Sequence, residues 1–154
     1  KWNDLKRTMH IPMIFDWDEL TNIKGNSGPY MQYTYVRCMS VLEKADSSIA
    51  NHFDTLLNNK MYLNSKLNVM QRDLLRNLCK YSDVVELAAK EFAPHHIPNY
   101  LYELAQSFNS LYGNQKIITD DKEATQLQLL IVKAVADVIH HGLGLLGIET
   151  LEKM

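Results

Sequence analysis

Residues 99–112 read Asn-Tyr-Leu-Tyr-Glu-Leu-Ala-Gln-Ser-Phe-Asn-Ser-Leu-Tyr. Within them Leu101, Leu104, Ala105, Phe108, Leu111 and Tyr112 recur at the spacing that lines up one face of an α-helix. A strand would scatter the same residues over both faces of a sheet. Further along, Ala124, Leu127, Ile131, Ala134, Val135 and Val138 repeat the helical period. This later helix is expected to stop at Gly142, just past His140 and His141. Glycine is favoured beyond a helix end, and imidazole suits the last turn.

Working outward, the shorter elements also carry helix signals. Asp16 followed by Glu19, and Asn68 followed by Gln71, have the spacing of helix N-terminal caps. The second is expected to open a helix running to about Tyr81. Ser82 and Asp83 then open another that ends near Phe92, with Pro94 beyond it, and Pro98 suits the first turn of the next. Gly113–Asn114 reads as a turn. Residues 45–67 are rich in Asn and Ser and read as a loop, with one short helix around His52 to Leu57. No β-branched run alternates with polar residues, and Ile117–Ile118 is too short for a strand. The expected fold is therefore all-α, a helical bundle of about five to seven helices.

Composition fits one domain. The chain has 154 residues, 46% hydrophobic and 22% charged, with 16 Lys+Arg against 18 Asp+Glu. That apolar fraction excludes a disordered chain, and the length allows a core without staples. Cys38 and Cys79 are too few for a disulfide framework and are expected to be small buried residues in a reducing compartment. The longest apolar stretch, around Leu129 to Ile139, is interrupted by Lys133 and Asp137, which argues against a membrane span. A formal net charge of −2 argues against a non-specific nucleic-acid clamp, DNA included. Charge is uneven, however: basic residues prevail over 60–90 and acidic ones over 91–154. The chain starts at Lys1 rather than Met, and is read as a piece of a longer protein.

Motifs for self-contained chemistry are missing from the sequence. It has no Walker loop, no dinucleotide fingerprint and no G-x-S-x-G elbow. The doublets His95–His96 and His140–His141 place neighbouring rings about 100° apart on a helix, a poor arrangement for a shared metal. No metal site is expected.

The informative segment is Gly25–Asn26–Ser27–Gly28–Pro29–Tyr30–Met31–Gln32–Tyr33, continued by Arg37. Gly25 and Gly28 permit positive φ and read as a tight loop, and Pro29 opens a helix. The loop then offers backbone N–H groups and a positive helix end to a phosphate. Tyr30, Tyr33 and Arg37 fall on one stripe, two aromatic faces and a guanidinium on which unstacked bases can lie. A core stripe of tyrosines closed by a buried arginine reads the same residues without any ligand.

Together with its surroundings, this segment resembles the class I arginyl-tRNA synthetases. The residues that carry the likeness are Phe15–Asp16–Trp17–Asp18, the block Gly25 to Tyr33 with Arg37, the block Asn99 to Ala105 with Phe108–Asn109, and Gly142–Leu143, Leu145 to Ile148 and Met154. Leu151 departs from the family pattern, where proline is common. The resemblance implies the C-terminal DALR-type helical anticodon-binding domain over residues 23–154, with residues 1–22 as the tail of the catalytic region and its connection. It implies a cytoplasmic parent enzyme that joins arginine to its tRNA using ATP and Mg. The HIGH and KMSKS elements would lie outside this chain, so the chain alone should not activate arginine and holds no cofactor. Its implied partners are the anticodon loop of an arginine tRNA and the catalytic domain of the same chain. Carried over by motif, Gly25, Asn26, Ser27, Gly28, Tyr30, Tyr33 and Arg37 would face the anticodon loop, with Tyr112 and the terminal region at Met154 approaching the same site. The competing reading is a free-standing helical protein-interaction domain with no nucleic-acid role.

Overall fold

A computed structural model describes residues 1–12, 15–45 and 67–154. The described residues form helices and no strands. In chain order these are α1 (Trp2–Leu5), α2 (Trp17–Thr21), α3 (Gly28–Lys44), α4 (Val69–Cys79), α5 (Tyr81–Lys90), α6 (His96–Asn114) and α7 (Lys122–Leu145). The expected short helix at 52–57 lies outside the described residues.

The bundle is organised around α6 and α7. Leu101, Leu104, Phe108 and Leu111 of α6 are buried, as the period of residues 99–112 predicts. They meet Leu129, Val132, Val135, Ile139 and Leu143 of α7, together with Met31 and Cys38 of α3 and Leu74 of α4. The buried face of α7 is turned from the expected one: Leu127 and Val138 are only partly buried, whereas Leu129, Val132 and Ile139 are fully so. Apolar residues occupy almost every side of this helix between 127 and 139, so its period alone does not fix the face. α7 is long and apolar enough to cross a membrane by length and composition. Half of its apolar window is buried in the core, which α7 joins through both α3 and α6.

Helix ends follow the caps in some places and depart from them in others. The Asp16 side chain accepts from the backbone N–H of Asp18 and Glu19, and Asn68 and Gln71 form a reciprocal capping box. α4 ends at Cys79 and α5 begins at Tyr81, with Lys80 alone between them and no side-chain cap on α5. Ser82 and Asp83 are therefore inside the first turn rather than before it. α5 ends at Lys90, and Phe92 follows with a left-handed φ of 51°. α6 runs through Gly113 to Asn114, because the Gln115 N–H still reaches the Leu111 carbonyl at 3.2 Å.

The end of α7 is the clearest departure. The helix passes through Gly142 and turns only at Gly147, whose φ is 65°. The Ile148 N–H bonds the Leu143 carbonyl and the Gly147 N–H bonds the Gly144 carbonyl, both at 2.9 Å, the Schellman pattern. Gly142 instead serves packing: a Cβ added there would sit 2.9 Å from both methyl carbons of buried Leu101. Gly142→Ala is expected to destabilise by about 1–2 kcal/mol, because overpacking outweighs the ~1 kcal/mol gain in helix propensity. Urea melts of the variant measure it, and a stabilised variant would contradict this packing.

The cysteines also divide. Cys38 is fully buried in α3, whereas Cys79, expected inside, is exposed on the last turn of α4. Burial pushes the Cys38 thiol well above its ordinary 9.0, and burial likewise raises the Tyr100 phenol above its ordinary 10.0. Both groups favour the neutral form when folded. Their contribution is present in full below the unfolded pKa values and is lost as pH rises from there towards the folded ones. Stability is therefore expected to fall progressively as pH rises above about 8 in urea melts, and to fall less in Cys38→Ala.

Candidate nucleic-acid interface

The site is built where the C-terminal half of α3 passes the C-terminal end of α6. Asn109 on α6 joins the two helices. Its Oδ1 accepts from the Arg37 Nη1 at 2.5 Å, and its Nδ2 donates to the Tyr30 hydroxyl and to Thr34 Oγ1, each at 2.9 Å. A guanidinium only donates, so the amide orientation is determined by Arg37.

Arg37 is held between two rings. Its guanidinium carbon lies 4.6 Å from the Tyr33 ring centroid and 4.8 Å from that of Tyr112. Its Nη2 donates to the Tyr33 hydroxyl at 2.7 Å. Tyr33 and Tyr112 remain 38% and 39% exposed, so ring surface is still open to a further planar group.

Beside this stack lies an open cavity of about 520 Å³. Tyr33, Arg37, Tyr112 and Met154 line it, with Lys44, Gln115 and Lys116. Among the described residues, three cationic side chains and no Asp or Glu side chain line its walls, in a chain whose net charge is −2. Among the described residues the Nε2 of Gln115 is buried with no hydrogen-bond partner, while its Oε1 accepts from Asn68 Nδ2 at 2.8 Å. Such a pocket suits an anionic, planar, hydrogen-bonding ligand.

The remaining positions singled out in the sequence lie elsewhere. Tyr30 does not continue the stripe towards the cavity; it packs edge-on against Tyr102 at 5.5 Å, and its hydroxyl is taken by Asn109. The Gly25–Gly28 loop does not line the cavity either. Neither glycine has a positive φ. Ser27 is fully buried and its Oγ accepts from the Tyr30 N–H at 3.2 Å, so it caps α3. Asn26 accepts from Trp2 Nε1 at 2.8 Å and from Lys6 Nζ at 2.7 Å. These groups bind the chain's own N-terminal residues, which leaves less of the loop for a phosphate than expected. Gly28 borders a second cavity of about 530 Å³, shared with Gln32, Leu151 and Met154.

The sequence and the fold match those of known proteins. The sequence profile of the DALR anticodon binding domain matches residues 31–154. The chain belongs to the DALR anticodon binding domain family. The whole chain is 34% identical over 155 residues to an arginine–tRNA ligase of Thermococcus kodakarensis and 37% identical to one of Aliivibrio salmonicida. It spans 24% and 26% of those relatives, about a quarter of their length. The fold superposes on Thermus thermophilus arginyl-tRNA synthetase with a TM-score of 0.82 at 25% identity, covering 99% of this chain and 25% of that one. For the Plasmodium falciparum arginyl-tRNA synthetase the TM-score is 0.83 at 24% identity, covering 99% of this chain and 26% of that one.

Sequence reading of this DALR domain missed Lys44, Gln115 and Lys116 as cavity residues. Lys44 had a signal, since it lies seven residues beyond Arg37 and extends the same helical stripe. Gln115 and Lys116 follow the end of α6, where no periodicity places a side chain.

Proposed function

We propose that this DALR domain is the tRNA anticodon-binding part of an arginine–tRNA ligase, and that the cavity between Tyr33, Arg37, Tyr112 and Met154 receives bases of the anticodon loop. The observation that carries the reading is the cavity lining: two part-exposed tyrosine rings flanking a guanidinium, with two lysines beside them. Splayed bases stack on rings and guanidinium planes, while Lys44 and Lys116 meet the backbone phosphates. Specificity then comes from hydrogen bonds to base edges. The central anticodon base, a cytosine in arginine tRNAs, is the one this site is expected to read.

In this reading the catalytic region of the same protein attaches arginine using ATP and Mg, in the cytoplasm. Residues 1–22 form the connection to it. The chain described here contributes recognition and none of the ligation chemistry. The three cations of the cavity touch few phosphates, so binding by this domain alone should be weak and only shallowly salt-dependent.

Enrichment from total cellular tRNA tests the proposal. The intact protein, immobilised and washed at low salt, is expected to retain arginine isoacceptors over the rest when the bound tRNA is sequenced. A retained pool with the composition of the input would overturn the reading.

A further inference from the structure

Two stretches outside the helices line the cavity, the segment that follows α6 and the segment that follows α7. Met154 lies beyond the end of α7, on a segment of irregular backbone, yet it borders the cavity beside Arg37. The segment leaves α7 at the Gly147 turn, where the Lys1 Nζ donates to the Gly147 carbonyl at 2.8 Å. Thr150 then meets His140, Oγ1 to Nδ1, at 2.8 Å, and the His140 ring stacks on Tyr35 of α3.

The main hold on the backbone comes from Gln32 of α3. Its Nε2 donates to the Glu149 carbonyl, and its Oε1 accepts from the Leu151 N–H at 3.0 Å. One side-chain amide thereby satisfies a carbonyl and an N–H two residues apart, as a neighbouring strand would. No backbone–backbone hydrogen bond of the described residues uses either group. Only Glu152 and Lys153 separate Leu151 from Met154, a reach of roughly 10 Å, so fixing Leu151 confines Met154. Gln32, Leu151 and Met154 also border one common cavity next to the first.

We propose that Gln32 is a positioning residue: its amide clamps residues 149–151 and so seats Met154 on the wall of the base-binding cavity. The consequence for RNA rests on the function proposed above, and the clamp itself does not.

Two readouts on the intact protein separate these parts. Hydrogen exchange with mass spectrometry needs no RNA. In Gln32→Ala, exchange over 149–154 is expected to quicken severalfold while α6 and α7 keep their protection. Unchanged exchange over 149–154 would overturn the clamp, and loss of protection throughout the bundle would mark Gln32 as a general packing residue and overturn it equally. The second readout is binding of an arginine-tRNA anticodon stem-loop by the parent protein, Gln32→Ala, Met154→Ala and the double variant. Each single change is expected to weaken binding about threefold to tenfold, and the double variant no more than Met154→Ala alone, because coupled residues do not add. Losses that multiply in the double variant would overturn positioning through Met154. Faster exchange together with a parent protein that binds the arginine and a non-arginine stem-loop alike would support the clamp and overturn the proposed anticodon role instead.

Discussion

Leu104→Ala is expected to lower the unfolding free energy by about 2–5 kcal/mol, the range for truncating a buried leucine. Leu104 is fully buried in the middle of α6, among Leu101, Phe108 and the apolar face of α7. The truncation removes the transfer free energy of the side chain and leaves a cavity that flanking helices cannot close without moving α7. Since small domains hold only about 5–15 kcal/mol in total, the variant should melt well below the parent. Ile131→Ala, at 2% exposure on α7, should cost an amount in the same range of about 2–5 kcal/mol. Urea titrations followed by far-UV circular dichroism check both. A cost near zero for Leu104→Ala would mean that α6 does not present this face to the core.

Arg37→Ala is expected to weaken binding of an arginine-tRNA anticodon stem-loop by about tenfold to a hundredfold, the size of a central binding residue. Removing the guanidinium takes away the charge beside the cavity and the plane between Tyr33 and Tyr112. It also leaves Asn109 Oδ1 without its donor, so a stability loss of about 1–2 kcal/mol should accompany the binding loss. The sequence alone, which shows only a stripe, gives no reason for that second effect. Arg37→Lys separates the contributions. It keeps the charge and loses the planar fork, and should recover little of the affinity if stacking and the fork matter more than charge. Affinity close to the parent's in Arg37→Lys would reduce the site to a point charge. Full affinity in Arg37→Ala would show that Arg37 only joins α3 to α6.

How much of this was legible beforehand depends on where each signal resides. The face of α6 could be read because polar residues such as Glu103, Gln106 and Ser110 separate its apolar positions. That of α7 could not, because Leu129, Leu130, Ile131 and Val132 give every side of the helix an apolar residue. Gly142 carried a stop signal by local propensity, yet contact with Leu101 from another helix is what its missing Cβ serves. The actual stop, Gly147, lies five residues on and was indistinguishable from it without tertiary context.

The site shows the same division. Tyr33 and Arg37 share a stripe one turn apart, and helical spacing alone places them together. Tyr30 sits on that stripe too, but Asn109 and Tyr102 of α6 draw it inwards. Tyr112 first reads as part of the α6 core face, and its exposure comes from lying past Leu111 near the end of that helix. The Gly25–Gly28 loop has the residue types of a phosphate seat, and only the contacts of Trp2 and Lys6 with Asn26 reveal that the chain itself uses it. Pairings between residues distant in sequence are invisible to periodicity, and most of the cavity is made of them.

The central claim is that this cavity reads the anticodon by base. The most direct measurement is a titration of the protein at low salt with two stem-loops, an arginine-tRNA anticodon stem-loop and a copy changed only at the central anticodon base. Their phosphates are the same, so electrostatic attraction is the same for both and any difference comes from base contacts. The account predicts that the changed loop binds about fivefold to 150-fold more weakly, the ~1–3 kcal/mol of one well-made base contact. Equal binding of the two loops would contradict it and leave a surface that tracks phosphates without reading sequence.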